Sequence, residues 1–138
     1  PFIRLDQSMN EPVFCSAPVW NPFGTTVVDG NAGGYSPNNI FIDQNNTIYL
    51  STFNQMHLRI WPQGNLSHGL NRTSNLNQSE GLFVSATGEI YVDNGAAHNR
   101  VEKWSSFNGT LVMNTNGSCV GLFLGPNETL YCSSFTQH

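Results

Sequence analysis

The chain has 138 residues and a formal net charge of −4, and only 10% of its residues are charged. About a quarter of the residues of an average soluble protein carry charge, so another feature has to keep this chain in solution. The five Lys and Arg residues are too few for a basic patch that binds phosphate, which argues against a nucleic-acid partner. No apolar run approaches the roughly twenty residues of a membrane-spanning helix, so we expect neither a membrane span nor a signal peptide.

Short apolar runs separated by Gly, Asn, Pro and Ser predict strands joined by turns along the chain. The first two are residues 17–20 and 25–28. Two more strands are predicted within residues 39–53, a third at residues 57–61 and a weakly apolar fourth at residues 66–70. Residues 39–70 are therefore predicted to form a unit of four short strands.

The same pattern recurs at offsets of 42 and 40 residues, because residues 81–93 and 121–133 repeat residues 39–51. Every copy has a Phe in its first strand and a Tyr in its second, and a Trp ends the third strand where that strand is present. We expect these aromatic residues to pack one repeat on the next, as in other repeat proteins, and not to stack on bases. They are Phe41, Phe83 and Phe123, Tyr49, Tyr91 and Tyr131, and Trp20, Trp61 and Trp104.

A period of about 40 to 45 residues with four strands per unit is typical of a β-propeller blade. We therefore predict an all-β fold, a β-propeller of four-stranded antiparallel blades. Residues 39–80 and 81–120 are two full blades, residues 121–138 begin an incomplete one, and residues 13–38 hold the outer strands of a preceding blade. A helical fold is excluded because no window of about ten residues keeps the apolar spacing of a helix.

The second copy resembles the NHL repeat, a propeller repeat. Its tight turn contains Gly88, its second strand ends at Asp93, and Asn99-Arg100 opens a strand that ends at Trp104. The resemblance covers about residues 13–138 and implies a propeller fold. In the first copy, Ser51 stands where the family favours Asp.

About three blades are present, whereas propellers close with four to eight. The third copy stops at His138, before its later strands, and the N-terminal region supplies late strands. We expect either the remaining blades of a longer chain or other copies of this chain to complete the ring. An open strand edge favours such pairing.

Seven Asn-x-Ser/Thr sequons lie at predicted turns or loops, where glycans are carried at the surface. Two share the turn between the first and second strands, two share the turn after the tryptophan, and three are placed in links between blades. With so little charge, they predict a secreted, N-glycosylated chain. In the same order, the sites are Asn45 and Asn127, Asn65 and Asn108, and Asn71, Asn77 and Asn116.

The three cysteines fit an oxidising compartment. Cys119 precedes the first strand of the third copy and Cys132 ends its second strand, so the two are opposed across a hairpin. They form a disulfide or remain two buried thiols. Cys15 is then either unpaired and buried, or bonded to another chain segment or a partner. Because the chain starts at Pro1 without Met, we interpret it as a portion of a secreted precursor.

Catalytic and metal-binding patterns are absent from the sequence. No His-Glu-x-x-His, Cys-x-x-Cys or Gly-x-Ser-x-Gly motif occurs, and the histidines fall at unrelated points of the repeat. Asp43 and Asp93 would line a channel in a lactonase-type propeller, but we interpret them as residues that bond local backbone. We predict no enzyme, no metal and no cofactor apart from attached glycans. The histidines are His57, His68, His98 and His138.

Three functions remain in order of preference. The first is a secreted glycoprotein propeller unit that acts as a protein–protein interaction module or a self-assembling extracellular structural module. The second is a fragment of a longer secreted NHL propeller that binds a peptide or glycan ligand. The third, which the resemblance alone suggests, is an extracellular lyase or lactonase-type propeller enzyme.

Overall fold

A computed structural model describes residues 10, 12, 14–27, 36–63, 65–67, 69–73, 75–105 and 109–134. Nearly all its regular structure is strand. The strands are β1 (Pro37–Ile42), β2 (Ile48–Thr52), β3 (His57–Trp61), β4 (Leu70–Thr73), β5 (Leu82–Val84), β6 (Ile90–Asp93), β7 (Arg100–Trp104), β8 (Gly109–Asn114), β9 (Gly121–Leu124) and β10 (Leu130–Ser133), and a one-turn helix, α1 (Gly95–His98), lies between β6 and β7. The helices within the described part of the chain are too short and too polar to cross a membrane.

The strands form three antiparallel sheets in sequence order. The first sheet is β1-β2-β3-β4, the second is β5-β6-β7-β8, and the third holds β9 and β10. Each strand pairs with the next in the chain, so every sheet is a meander. The four-stranded antiparallel units predicted from the repeat are therefore present, and they occupy successive repeats.

One tight turn joins the first two strands of every sheet. The backbone N–H of its first residue donates to the carbonyl of its fifth, and its fourth residue has left-handed backbone angles. The N–H···O distances are 3.1 Å from Asp43 to Thr47, 2.9 Å from Ser85 to Glu89 and 2.8 Å from Gly125 to Thr129. The left-handed residues are Asn46 (φ 57°), Gly88 (φ 82°) and Glu128 (φ 58°).

Successive sheets pack through the phenylalanines of their first strands. The ring centroids of Phe41 and Phe83 lie 5.2 Å apart, and those of Phe83 and Phe123 lie 5.7 Å apart, both edge to face. Aromatic pairs prefer this geometry and add about 0.5–1.5 kcal/mol beyond area burial. The predicted packing of one repeat on the next is thus confirmed for these residues.

Two hydrophobic clusters fill the spaces between the sheets. The first joins Leu58 and Ile60 of β3 to Leu82, Val84 and other residues of the second sheet, and Trp104 lies in it with 1% of its surface exposed. The second lies between the second and third sheets. Its buried members are Phe83, Tyr91, Val101, Cys119, Leu122 and Leu124. Full burial of each such side chain stabilises the fold by roughly 1.5–3 kcal/mol.

The described residues 14–27 form no strand, although residues 17–20 and 25–28 are predicted as outer strands of a blade. Outer strands need an inner strand to pair with, and none of the described strands pairs with this segment. Val28, the last residue of the second predicted strand, lies outside the described residues. Val19 and Trp20 are 97% and 68% exposed, so Trp20 does not pack between repeats as predicted. Pro18 and Pro22 also lack the N–H that a ladder requires.

The fourth strand of the first sheet also differs from the prediction. It runs over Leu70–Thr73, whereas residues 66–70 were expected, because Leu66 and Ser67 form a turn. Asn71 consequently lies within β4 and not in a link between blades.

We predict that Glu128→Gly raises the free energy of unfolding by roughly 0.5–1 kcal/mol, because Glu is strained in the left-handed region and Gly is not. Urea unfolding would measure it. Glu128→Ala is the matched control, since it removes the carboxylate, keeps Cβ and preserves the sequon at Asn127. Equal stability of the Gly and Ala variants would contradict the prediction.

Candidate functional site

The outer edge of the third sheet is the first feature that points to a function. β10 pairs with β9 on one side, and no described strand pairs with its other side. Its residues carry no charge, and Tyr131 is 58% exposed. A lone two-stranded hairpin is at best marginally stable, and an open edge is a template for another strand. The edge of β10 is therefore a candidate site of association.

A disulfide fastens the third sheet at this edge. Cys119 and Cys132 are bonded, with their Cα atoms 5.3 Å apart. Cys119 is fully buried in the second cluster, whereas Cys132 is exposed in β10. The disulfide predicted from the hairpin is thus present, and it holds β10 against the segment that precedes β9. Cys15 is unbonded and exposed, which corrects the alternative of a buried thiol.

A cleft of about 370 Å³ runs beside the same edge. Residues 113–117, from the end of β8 and the link that follows, form one wall, and Cys132 and Ser134 form the other. The lining carries no charged side chain. The cleft therefore suits an uncharged segment of polypeptide that adds to β10.

Residues 14–27 expose an unusual number of large apolar side chains. Phe14, Val19, Trp20 and Phe23 are 61%, 97%, 68% and 81% exposed. The rings of Phe14 and Trp20 contact each other edge to face, with their centroids 5.3 Å apart. Contiguous exposed apolar residues mark interaction sites, so we name residues 14–27 the apolar segment.

The sequon asparagines lie at the surface. All six that the structure describes have exposed side chains. Asn45 and Asn127 occupy the turns after β1 and β9, and Asn65 occupies the β3–β4 turn, as predicted. In a meander the first and third turns lie at the same end of the strands, so Asn45 and Asn65 lie at one end of the first sheet, and Asn127 lies at the corresponding end of the third. Asn77 and Asn116 lie in links between sheets, Asn71 lies in β4, and Asn108 is outside the described residues.

Asp43 bonds local backbone. Its Oδ1 accepts hydrogen bonds from the N–H groups of Asn45 and Thr47 at 2.9 and 2.8 Å, which fixes the turn after β1. The Tyr49 hydroxyl donates to Oδ2 at 3.2 Å. Burial and the nearby carboxylate together raise the pKa of Tyr49 to about 12. These bonds match the structural role predicted for Asp43.

Asp93 lies at the junction of the second and third sheets and is fully buried. Its Oδ2 accepts a hydrogen bond from the N–H of Glu80 at 3.4 Å. Burial raises the pKa of Asp93 to about 6, although the backbone amides of Cys119, Glu80 and Gly95 favour the carboxylate. Ser51 takes the same place in the first sheet. Asp93 thus joins two sheets and does not face the solvent.

A buried polar cluster around Glu102 was not predicted. Its Oε1 accepts hydrogen bonds from Asn94 Nδ2 at 2.9 Å and Arg100 Nε at 2.7 Å, and its Oε2 accepts one from Trp104 Nε1 at 3.1 Å. Burial raises the pKa of Glu102, but these donors outweigh burial and hold it below its usual value. The alternation of Arg100, Glu102 and Trp104 puts them on one face of β7, and this signal was available in the sequence.

The two histidines that the structure describes lie on different elements, β3 and α1. Burial, helped by the Arg59 charge, lowers the pKa of His57, and His98 is exposed at the end of α1. His68 and His138 lie outside the described residues. Among the residues that are described, no three His, Cys, Asp or Glu side chains are grouped so as to hold a metal ion.

No protein-family model matches the chain, and no curated protein matches it either. The resemblance to NHL repeats therefore stays a prediction from the repeat pattern.

We predict that Asp93→Asn flattens the dependence of stability on pH. In the folded protein the pKa of Asp93 is about 6, above its ordinary value of 3.8. The wild-type fold is therefore most stable below about pH 4, where Asp93 is protonated, and it loses stability as the pH rises through 6 and the buried carboxyl group ionises. Between pH 4 and pH 7 the variant should gain roughly 2 kcal/mol of stability relative to the wild type. Urea unfolding at both pH values measures this, and parallel pH profiles for the two proteins would refute it.

Proposed function

We propose that the chain is a secreted, N-glycosylated, NHL-like propeller unit that acts by associating with other copies of itself as an extracellular structural or interaction module. One observation carries the proposal. The third sheet has two described strands and an open edge, and the apolar segment, which contains nearly all of two predicted outer strands, pairs with no described strand.

The repeat specifies how the apolar segment would complete the third sheet. In the first sheet Ile48 pairs with Trp61, and in the second sheet Ile90 pairs with Trp104. Leu130 occupies the position of these isoleucines in β10, and Trp20 that of the tryptophans. Trp20 of the incoming segment would therefore lie opposite Leu130, beside the cleft.

The proposal takes the segment from another copy. Within one chain it precedes the first sheet, whereas the open edge belongs to the third, at the other end of the array. Joining them would close a ring of three blades, which is fewer than the four to eight of known propellers. Exchange of the segment between copies avoids this strain.

Secretion and glycosylation are supported by three further features. Charged residues are scarce, a disulfide is formed, and the six described sequon asparagines are exposed. Glycans on these turns and links would keep the chain in solution without charge.

A second candidate function is ligand binding by a longer propeller of which this chain is a part. Asn45, Asn65 and Asn127 lie at corresponding ends of their sheets, so the opposite ends carry fewer glycans. The opposite end of the first sheet holds the β2–β3 loop, where Phe53 and Met56 are 43% and 63% exposed. A peptide or glycan ligand would bind there.

We predict that the chain is a defined oligomer in solution. Light scattering of the native protein should give at least twice the mass of the same chain when it is denatured, non-reduced and still glycosylated; the polypeptide part of that mass is 15.2 kDa. Deletion of residues 14–27 should return the protein to a monomer. A monomeric wild type would sink the proposal.

We predict that glycans occupy the exposed sequons. In material secreted from eukaryotic cells, Asn45→Gln and Asn127→Gln should each remove the mass of one glycan, because both sites lie on exposed turns. Asn54→Gln, which changes an exposed Asn outside any sequon, should leave the mass almost unchanged. Mass spectrometry of the intact chain reads the result, and an unglycosylated wild type would contradict it.

A further inference from the structure

We propose that the third sheet of one copy stacks face to face on the first sheet of a second copy, through the same contact that joins successive sheets within the chain. The inference rests on the proposed self-association and names the surface that produces it. This association is head to tail, because the two contacting surfaces differ: one is a face of the third sheet and the other is a face of the first sheet.

The contact between the first and second sheets shows which residues of one sheet pack against the next. Phe41 and Tyr49 of the first sheet pack against the cluster that contains Leu82 and Val84 of the second. Leu82 and Val84 are 4% and 0% exposed. The first sheet therefore supplies a covering face with two aromatic residues, and the second supplies a covered face of aliphatic residues.

The contact between the second and third sheets repeats this arrangement. Phe83 and Tyr91, the counterparts of Phe41 and Tyr49, now form the covering face and are 3% and 7% exposed. Leu122 and Leu124 of the third sheet form the covered face, with 8% and 7% of their surfaces exposed. The same interface thus occurs twice in the chain.

The two ends of the array carry the unused halves of this interface. At one end, Phe123 and Tyr131 are the third covering face, and they are 37% and 58% exposed. At the other end, Ile40 and Ile42 occupy the positions of Leu82 and Val84, and they are 58% and 39% exposed. The same repeat positions are buried or partly buried at the two internal junctions and more exposed at both ends, so each end matches the other.

Stacking of two copies would continue the ladder of phenylalanines. Phe123 would contact Phe41 of the second copy, as Phe83 contacts Phe123 within one chain at a centroid distance of 5.7 Å. None of the four end-face residues is charged, so apolar burial drives the contact. Continuity with an interface that already forms twice identifies the occupant as a second copy.

The same stacking brings the apolar segment to the open edge. In the second copy, residues 28–36 connect this segment to the first sheet, which would lie against the third sheet of the first copy. The proposed stacking would therefore place the segment near β10 of the first copy, whose outer edge pairs with no described strand. Two copies of three blades each would close a ring of six, within the range of four to eight, and a third copy would exceed it.

Two variants test the inference, and each of them places a charge on one of the two end faces. Ile40→Lys alters the covered face and Tyr131→Glu the covering face, and both wild-type side chains are 58% exposed, so the fold should tolerate the changes. Each variant alone should lose the oligomer, with association weakened roughly thirtyfold or more. An equimolar mixture should form heterodimers through the intact pair of faces. Leu111→Lys, a 55% exposed position on β8 away from both end faces, is the control and should keep the wild-type mass.

Light scattering and thermal unfolding of each protein separate the outcomes. If the wild type is a monomer, both the inference and the proposed function fail. If the wild type is an oligomer that survives either single variant, the copies associate through another surface and only the inference fails. Two folded monomeric variants that stay monomeric when mixed also overturn the head-to-tail contact. Recovery of dimers in the mixture supports it and shows that both variants are folded.

Discussion

The packing of one sheet on the next is the interaction on which this structure depends. A four-stranded meander has two faces and too few residues to bury either by itself, so its stability comes from its neighbours. Here Phe83 contacts a phenylalanine of the sheet before it and one of the sheet after it. Each internal junction buries an aliphatic face under an aromatic one. An array built in this way leaves one unmatched face at each end, whatever its length.

A disulfide strengthens the two strands that are described in the third sheet. In the two complete sheets, the third strand brings Trp61 or Trp104 into the structure, with 3% and 1% of their surfaces exposed. The described part of the third sheet contains no such tryptophan, and there the Cys119–Cys132 disulfide closes a loop with a sequence separation of 13. Closing a loop of this size lowers the conformational entropy of the unfolded chain, which stabilises the folded state by roughly 3 kcal/mol. The covalent bond thus stabilises a hairpin that would be marginal alone.

Local patterns account for what could be predicted from the sequence. Alternating apolar residues and a recurring five-residue turn depend on neighbours in the chain, so the paired first and second strands were found in all three repeats. Residues 17–20 carry the pattern of a third strand, but a strand forms only where another strand is present to accept its hydrogen bonds. The pairing of β10 with the apolar segment is such a non-local condition, and no local signal reveals whether it is met.

The residues of the candidate site also fall into those that local sequence predicts and those that depend on packing between sheets. Sequons and the cysteine pair are recognised by residue type and spacing, and the exposure of Asn45 or Asn127 follows from the turn that carries it. The burial of Asp93 depends on the close approach of the segment before β9, which only the packing of two sheets determines. Glu102 is intermediate, because its partners Arg100 and Trp104 alternate along one strand, while Asn94 joins them through the fold.

Glycan placement and stacking are physically compatible, and this links the composition of the chain to its proposed assembly. Asn45 and Asn127 lie on turns at the rim of their sheets, beyond the strands that carry Ile40, Ile42, Phe123 and Tyr131. Glycans at a rim extend into solvent and leave the sheet faces accessible to each other. Surface charges would serve solubility equally well, but charges on a face would have to be desolvated when sheets stack. If the proposed glycans are attached, a chain that is poor in charge and rich in rim sequons would keep both end faces apolar and still stay in solution.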